Sequence, residues 1–218
     1  MYLTLKHDNK RQLRLTRAWS LQNKTKNFDF SFSALLSENI HVSGTRGIRL
    51  HYRILDFKSE NLSPQESDKN TFEFVLTEAG AISSDTAHTG HLADIAEDIR
   101  AAWLTPEIGI DGLRWTTQPG IHSKLEKPMR TFEAHAEHKI VGVKDDNLTV
   151  ESCAEVSLKL ESGVRMGPLH GSARQTTILN QIQGPTEMKR ETKVILHDPA
   201  QAKPMPIHIL SSLRVSEN

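Results

Sequence analysis

His88, His91 and Asp94 have the spacing of metal ligands gathered at the start of a helix, where positions three apart share a face. No His-Glu-x-x-His motif accompanies them, and histidines in a loop that opens a helix are ordinary, so no metal is expected. His135 and His138 form a second pair, but an odd separation in a strand sends two side chains to opposite faces. His138 shares parity with Phe132, Ala134, Ala136 and Ile140 and reads as a hydrogen-bonded core histidine, while His135 keeps company with Glu133, Glu137 and Lys139. Cys153 is the one thiol, and parity puts it on a polar face between Glu151 and Glu155. Neighbouring carboxylates disfavour a thiolate, the opposite of what a nucleophile needs. There is no Gly-x-Ser-x-Gly elbow. Gly163, Gly167 and Gly171 fit neither a phosphate loop nor a dinucleotide fingerprint and read as a crossing between strands. The pairs Glu151/Glu155 and Glu133/Glu137 lie on strand exteriors, where acids repel rather than share a proton. The expectation is a chain without catalytic residues, cofactor or metal.

The 218 residues suffice for one large core without disulfides. Lys and Arg number 27, as do Asp and Glu, so no global charge draws the chain to nucleic acid or an anionic membrane. The balance is not local: residues 1–58 carry 11 basic and 4 acidic side chains, and residues 59–118 carry 3 and 11. The two stretches are expected to attract one another within one fold. Arg11, Arg14, Arg17, Arg46, Arg49 and Arg53 share the first third with Phe28, Phe30 and Phe32, as in a single-strand nucleic-acid platform. The phenylalanines share one parity, however, and a core reading is preferred. No apolar run has the length of a membrane span, and Met1 is followed by no signal-peptide pattern.

The elements that must position these residues repeat with a period of two. Leu13, Leu15, Trp19 and Leu21 alternate with polar residues, as do Phe28, Phe30 and Phe32, then Ile48, Leu50, Tyr52 and Ile54, then Phe72, Phe74 and Leu76. Leu148 to Leu160 hold parity for thirteen residues. Each is a strand with one wet face, which predicts a mainly β fold: long antiparallel strands in a curved sheet or open barrel. Asp145-Asp146-Asn147, Glu78-Ala79-Gly80 and Gln183-Gly184-Pro185 read as hairpins, and Lys58–Asn70 as an exposed polar loop. One segment has helical period. Leu92, Ile95, Ile99 and Trp103 form a stripe within an amphipathic helix near 91–103, with Asp94, Glu97, Asp98 and Arg100 facing away. That stripe needs a cover, and the apolar sheet face built around Phe28, Phe30, Tyr52 and Phe74 is the one available.

A shift of 104 residues lays Phe28 on Phe132, Leu50, Tyr52 and Ile54 on Ala154, Val156 and Leu158, and Gly80 on Gly184. The chain is expected to be a single domain, 1–218, whose halves 1–104 and 105–218 are two similar meanders joined by the helix. A Tyr-Leu-x-Leu strand, a Leu-Thr-Glu-Ala-Gly hairpin at Leu76–Gly80, a short helix and a Pro-x-x-Gly-x-x-Gly-x-x-Trp stretch (Pro106, Gly109, Gly112, Trp115) follow in order. That order resembles an uncharacterised family of bacterial exported, often lipid-anchored, all-β proteins. The resemblance implies a periplasmic or cell-envelope location and no enzymatic activity, although this chain shows neither an export signal nor a lipid-attachment cysteine. It leads to a non-catalytic envelope-associated protein that binds an apolar or amphipathic ligand, or a protein partner, with Phe28, Phe30, Tyr52, Phe74, Leu92, Ile95, Ile99 and Trp103 lining the seat and no nucleic acid bound. A structural subunit that assembles through sheet edges is the alternative, and a metal-dependent hydrolase at His88, His91 and Asp94 the third reading.

Overall fold

A computed structural model describes residues 5, 9–22, 27–43, 47–60, 70–77, 80–83, 91–103, 114–117, 120–123, 130–160, 169–196 and 204–216. Among the described residues, twelve strands form one antiparallel sheet that does not close into a barrel. In chain order they are β1 (Asn9–Gln22), β2 (Asn27–Ser43), β3 (Gly47–Ser59), β4 (Thr71–Thr77), β5 (Gly80–Ser83), β6 (Arg114–Thr117), β7 (Gly120–Ser123), β8 (Arg130–Lys144), β9 (Asn147–Leu160), β10 (Leu169–Asn180), β11 (Gly184–Leu196) and β12 (Met205–Val215). One helix, α1 (His91–Ala102), stands between β5 and β6. The neighbour order is β5-β4-β3-β2-β1-β12-β11-β10-β9-β8, with β6 and β7 both on the far side of β8.

The alternation in the sequence becomes two faces. Leu13, Leu15, Leu36, Ile40, Leu50, Tyr52, Phe72 and Phe74 are buried on one, and Ile95, Ile99 and Trp103 join the same core. Ile48 and Leu92 pack against it, partly buried. A smaller core of Ile140, Leu148, Val150 and Leu179 belongs to β8, β9 and β10. Phe30 is half-buried and outside the main core, a departure from the expected lining, and of Phe28 only the backbone is described. Its neighbour by parity, Phe32, takes the aromatic contact, lying between Trp19 and Phe57 at centroid distances of 5.5 and 5.3 Å.

The hairpin at Asp145–Asp146 joins β8 to β9, with Asp145 at φ 52°. Residues 78 and 79 lie outside the described set, but Thr77 pairs with Gly80 as a hairpin requires. β3 runs to Ser59, so Lys58 and Ser59 of the expected polar loop are strand, and residues 61–69 lie outside the described set. Of the proposed glycine crossing, residues 163 and 167 lie outside the described set, whereas Gly171 is inside β10, paired with Val194 and Val156.

The 104-residue shift carries β1 onto the stretch holding β6 and β7, β2 onto β8, β3 onto β9, β4 onto β10 and β5 onto the start of β11. Neighbour relations follow: β1 lies beside β2 as β6 and β7 lie beside β8. The register irregularity of β2–β3, between Leu35 and Leu36, falls next to that of β8–β9, between Ile140 and Gly142.

Gly184 lies close against Trp103 at the end of α1. It opens β11 at φ +83°, and a Cβ there would sit 2.2 Å from the Trp103 indole. Gly184→Ala therefore combines a left-handed backbone with a clash against a fully buried ring. We expect a loss of about 2–4 kcal/mol, measured by denaturant unfolding.

Candidate functional site

Helix α1 does not turn its acids away from the sheet. Asp98 is fully buried, and Arg17 of β1 reaches all three carboxylates of the helix. Its Nη2 is 3.3 Å from Asp94 and 3.2 Å from Glu97, and its Nη1 is 3.2 Å from Asp98. Arg190 of β11 adds contacts of 3.3 Å to Glu97 and 3.9 Å to Asp98. The reason is geometric. Ile95, Ile99 and Ala102 form the centre of the buried arc, and positions 94 and 98 lie on its flank one residue away around the helix. The stripe rests over the first half of the sheet, and the acidic flank lies over its central strands. Gln175 of β10 extends the contact by donating to the Ala101 carbonyl at 2.8 Å. The basic first quarter of the chain thus meets the acidic second quarter, as expected, and Arg49 repeats the theme with Glu73 at 3.0 Å.

Burial dominates the protonation of this seam. It pushes the Asp94 carboxyl up to about 6, against the pull of Arg17, and it raises Asp98 too. Glu97 goes the other way, to about 2, because Arg17, Arg190 and Arg100 outweigh its desolvation.

A second polar chain runs at the C-terminal end of α1. Trp103 Nε1 donates to Tyr52 Oη at 2.6 Å, Tyr52 Oη donates to Glu38, and Arg11 Nε donates to the other Glu38 oxygen. Glu38, Tyr52 and Trp103 are closed to solvent, so this chain orients the core and presents nothing to a substrate.

The structure brings Tyr52, Phe74, Ile95, Ile99 and Trp103 together, with Leu92 at the margin, as the core beneath α1. None of these side chains lines the open trough on the sheet's other face. His88 lies outside the described residues, of His91 only the backbone is described, and Asp94 is spent on Arg17. No group of three or more His, Cys, Asp or Glu side chains is placed to hold a metal among the described residues. His138 is buried, as its parity implies, 2.7 Å from the Ser152 hydroxyl across β8 and β9. Burial depresses its pKa to about 4. Both side chains of this serine–histidine pair are buried.

The open concavity is on the other face. A trough of about 1080 Å³ spans the sheet from β3 to β9, and no described residue of α1 lines it. Its floor is set by register: Ser31, Ala18, Leu210, Glu191, Arg174 and Cys153 form one row across six strands. Thr16, Ser212, Lys189, Thr176 and Glu151 form the next. These positions alternate with Arg17, Arg190 and Gln175, which face the helix, so the trough occupies the opposite surface. Small side chains on β1 and β2 form its middle, and the long side chains of Lys58, Arg174 and Lys189 stand at its sides. Leu210 is 50% exposed in the floor. Glu191 is held by His208 at 2.8 Å and Lys193 at 3.0 Å.

Cys153 is exposed, on the polar face as expected. The flanking acids are not its whole surroundings, because register sets Arg174 directly across from it. Cys153→Ser is expected to change folding stability by less than about 0.5 kcal/mol, as befits an exposed side chain, and chemical denaturation checks it.

No family model matches the chain, and no curated protein matches it. Among solved structures, DynF from the dynemicin biosynthesis pathway of Micromonospora chersina is similar over 98% of this chain and 83% of its own, at 7% identity and a TM-score of 0.30. So low a similarity carries no argument about fold or function. No helix among the described residues is long and apolar enough to cross a membrane.

Sequence parity could have found the buried ions. Arg11 and Arg17 share the parity of Leu13, Leu15 and Trp19, and Glu38 that of Leu36 and Ile40. A charge on an apolar parity must be paired if the strand is buried.

Proposed function

We propose that this chain is a non-catalytic binding protein that seats an amphipathic ligand or a protein partner in the trough, on the sheet face opposite α1. The observation that carries the reading is the trough itself. It combines an exposed leucine, a hydroxyl-bearing floor and flanking charges of both signs, and its size suits a small-molecule ligand. On the face beneath α1, Ile95, Ile99 and Trp103 are buried in the core, which favours the trough as the seat. Assembly through sheet edges is the weaker reading, since β5, β6 and β7 are four residues each, and short edge strands offer little to pair with. The cell-envelope location is part of the proposal and rests on the resemblance alone. The matching strand order of the two halves supports descent from a duplicated meander.

The test is titration with 8-anilinonaphthalene-1-sulfonate, an amphipathic dye that brightens in apolar surroundings. The native chain should bind it, and Leu210→Asp and Arg174→Glu should each weaken binding about tenfold, or about 1.4 kcal/mol, with melting unchanged. Unaltered affinity in both variants would remove the trough as the seat.

A further inference from the structure

Helix α1 is held to the sheet by two unlike contacts. Its apolar centre belongs to the core that holds Leu50, Tyr52 and Phe74 together with Met188 and Leu213, and Trp103 is bonded to Tyr52. Its acidic flank meets Arg17 of β1 and Arg190 of β11, which stand on strands from the two halves of the chain. A buried ionic contact is poor glue: the desolvation of both partners offsets most of their attraction, and apolar residues of the same volume hold as well or better. What ions provide and apolar contacts do not is sensitivity to protons. We propose that α1 is a pH-sensitive latch, docked through its acidic flank under mildly acidic conditions and released more readily toward neutrality, uncovering the apolar strip of β3 and β4.

The groups that face the flank fix the direction. Arg17 comes from β1, Arg190 from β11 and the Ser211 hydroxyl from β12, while Glu97 and Arg100 flank Asp98 on α1 itself. With Asp94 held at about 6 when docked, against an ordinary 3.8, the docked helix takes up a proton between those values that the released helix does not. Through Asp94, docking therefore strengthens as pH falls from about 6 to about 5 and weakens as pH rises through 6. Asp98, also raised, acts in the same direction, whereas Glu97, at about 2 when docked against an ordinary 4.5, opposes it once pH falls below about 5. The other charged group near this seam, Arg100, stays cationic over the same range.

Amide hydrogen exchange of the whole chain at pH 5 and pH 8, corrected for intrinsic exchange, tests the latch. Exchange of the α1 amides should be at least tenfold faster at pH 8, with Leu13 and Leu15 of β1 unchanged. Asp94→Asn, at a partly exposed position, should flatten the dependence, and Asp98→Asn should do the same if it folds. Three results would each overturn the proposal: α1 exchange that does not change with pH, α1 and β1 exchange that rise together as one unit, or a wild-type pH dependence in Asp94→Asn.

Discussion

Ile95→Asp should detach α1 from the sheet. Ile95 is fully buried at the centre of the helix stripe. Losing it forfeits about 1.5–3 kcal/mol of apolar burial, and the introduced carboxylate would be buried without a partner. The sum exceeds about 4 kcal/mol, the range in which single substitutions break a contact outright. The expected variant keeps its β-sheet far-UV spectrum, melts at a lower temperature and binds an apolar dye far more strongly, because Leu50, Tyr52 and Phe74 are bared. Complete loss of the sheet would show that α1 is an inseparable part of the core and would sink the latch. An unchanged melting temperature would place the stripe in water and contradict the fold.

Arg17→Ala should be nearly as severe, its main loss being ionic, with the guanidinium's place over the Trp19 ring given up as well. Asp98 would keep Arg190, at 3.9 Å, and the Ser211 hydroxyl, and Asp94 would lose the cation it now pairs with. Breaking a buried pair from one side costs about 3–5 kcal/mol. For a chain of this length that is a fall in melting temperature of roughly 6–20 °C. Arg17→Met combined with Asp98→Leu removes both ends at once and should recover most of the loss. A double variant no better than Arg17→Ala would mean that the two charges act independently, and the ionic seam would lose its meaning.

Much of the fold was legible because its physics is local. Alternation in β1, β3, β4 and β9 needs only one wet face, and the stripe of Ile95, Ile99 and Trp103 needs only a cover. Even the balance of a basic first quarter against an acidic second one could be read without knowing which arginine met which acid. The far-face trough was not legible in the same way. Its floor gathers Ala18, Arg174 and Leu210 from β1, β10 and β12, residues brought together only when β1 pairs with β12. Nothing in the local pattern announces that pairing, which closes the longest sequence separation in the sheet. Arg174, the cation facing Cys153, was missed for the same reason. The direction of Asp94 and Asp98 was misjudged on a different ground: acids on an amphipathic helix normally face water, and here the buried arc is wide enough to take them in.

The most direct measurement is an amide-resolved NMR titration of the native chain with 8-anilinonaphthalene-1-sulfonate at pH 5, where α1 is docked. The trough reading predicts shifts that cluster at Ala18, Arg174, Leu210 and their register neighbours, with Ile95, Ile99 and Trp103 unmoved. Shifts concentrated instead on α1 and on Leu50, Tyr52 and Phe74 would contradict it and return the ligand seat to the face beneath the helix.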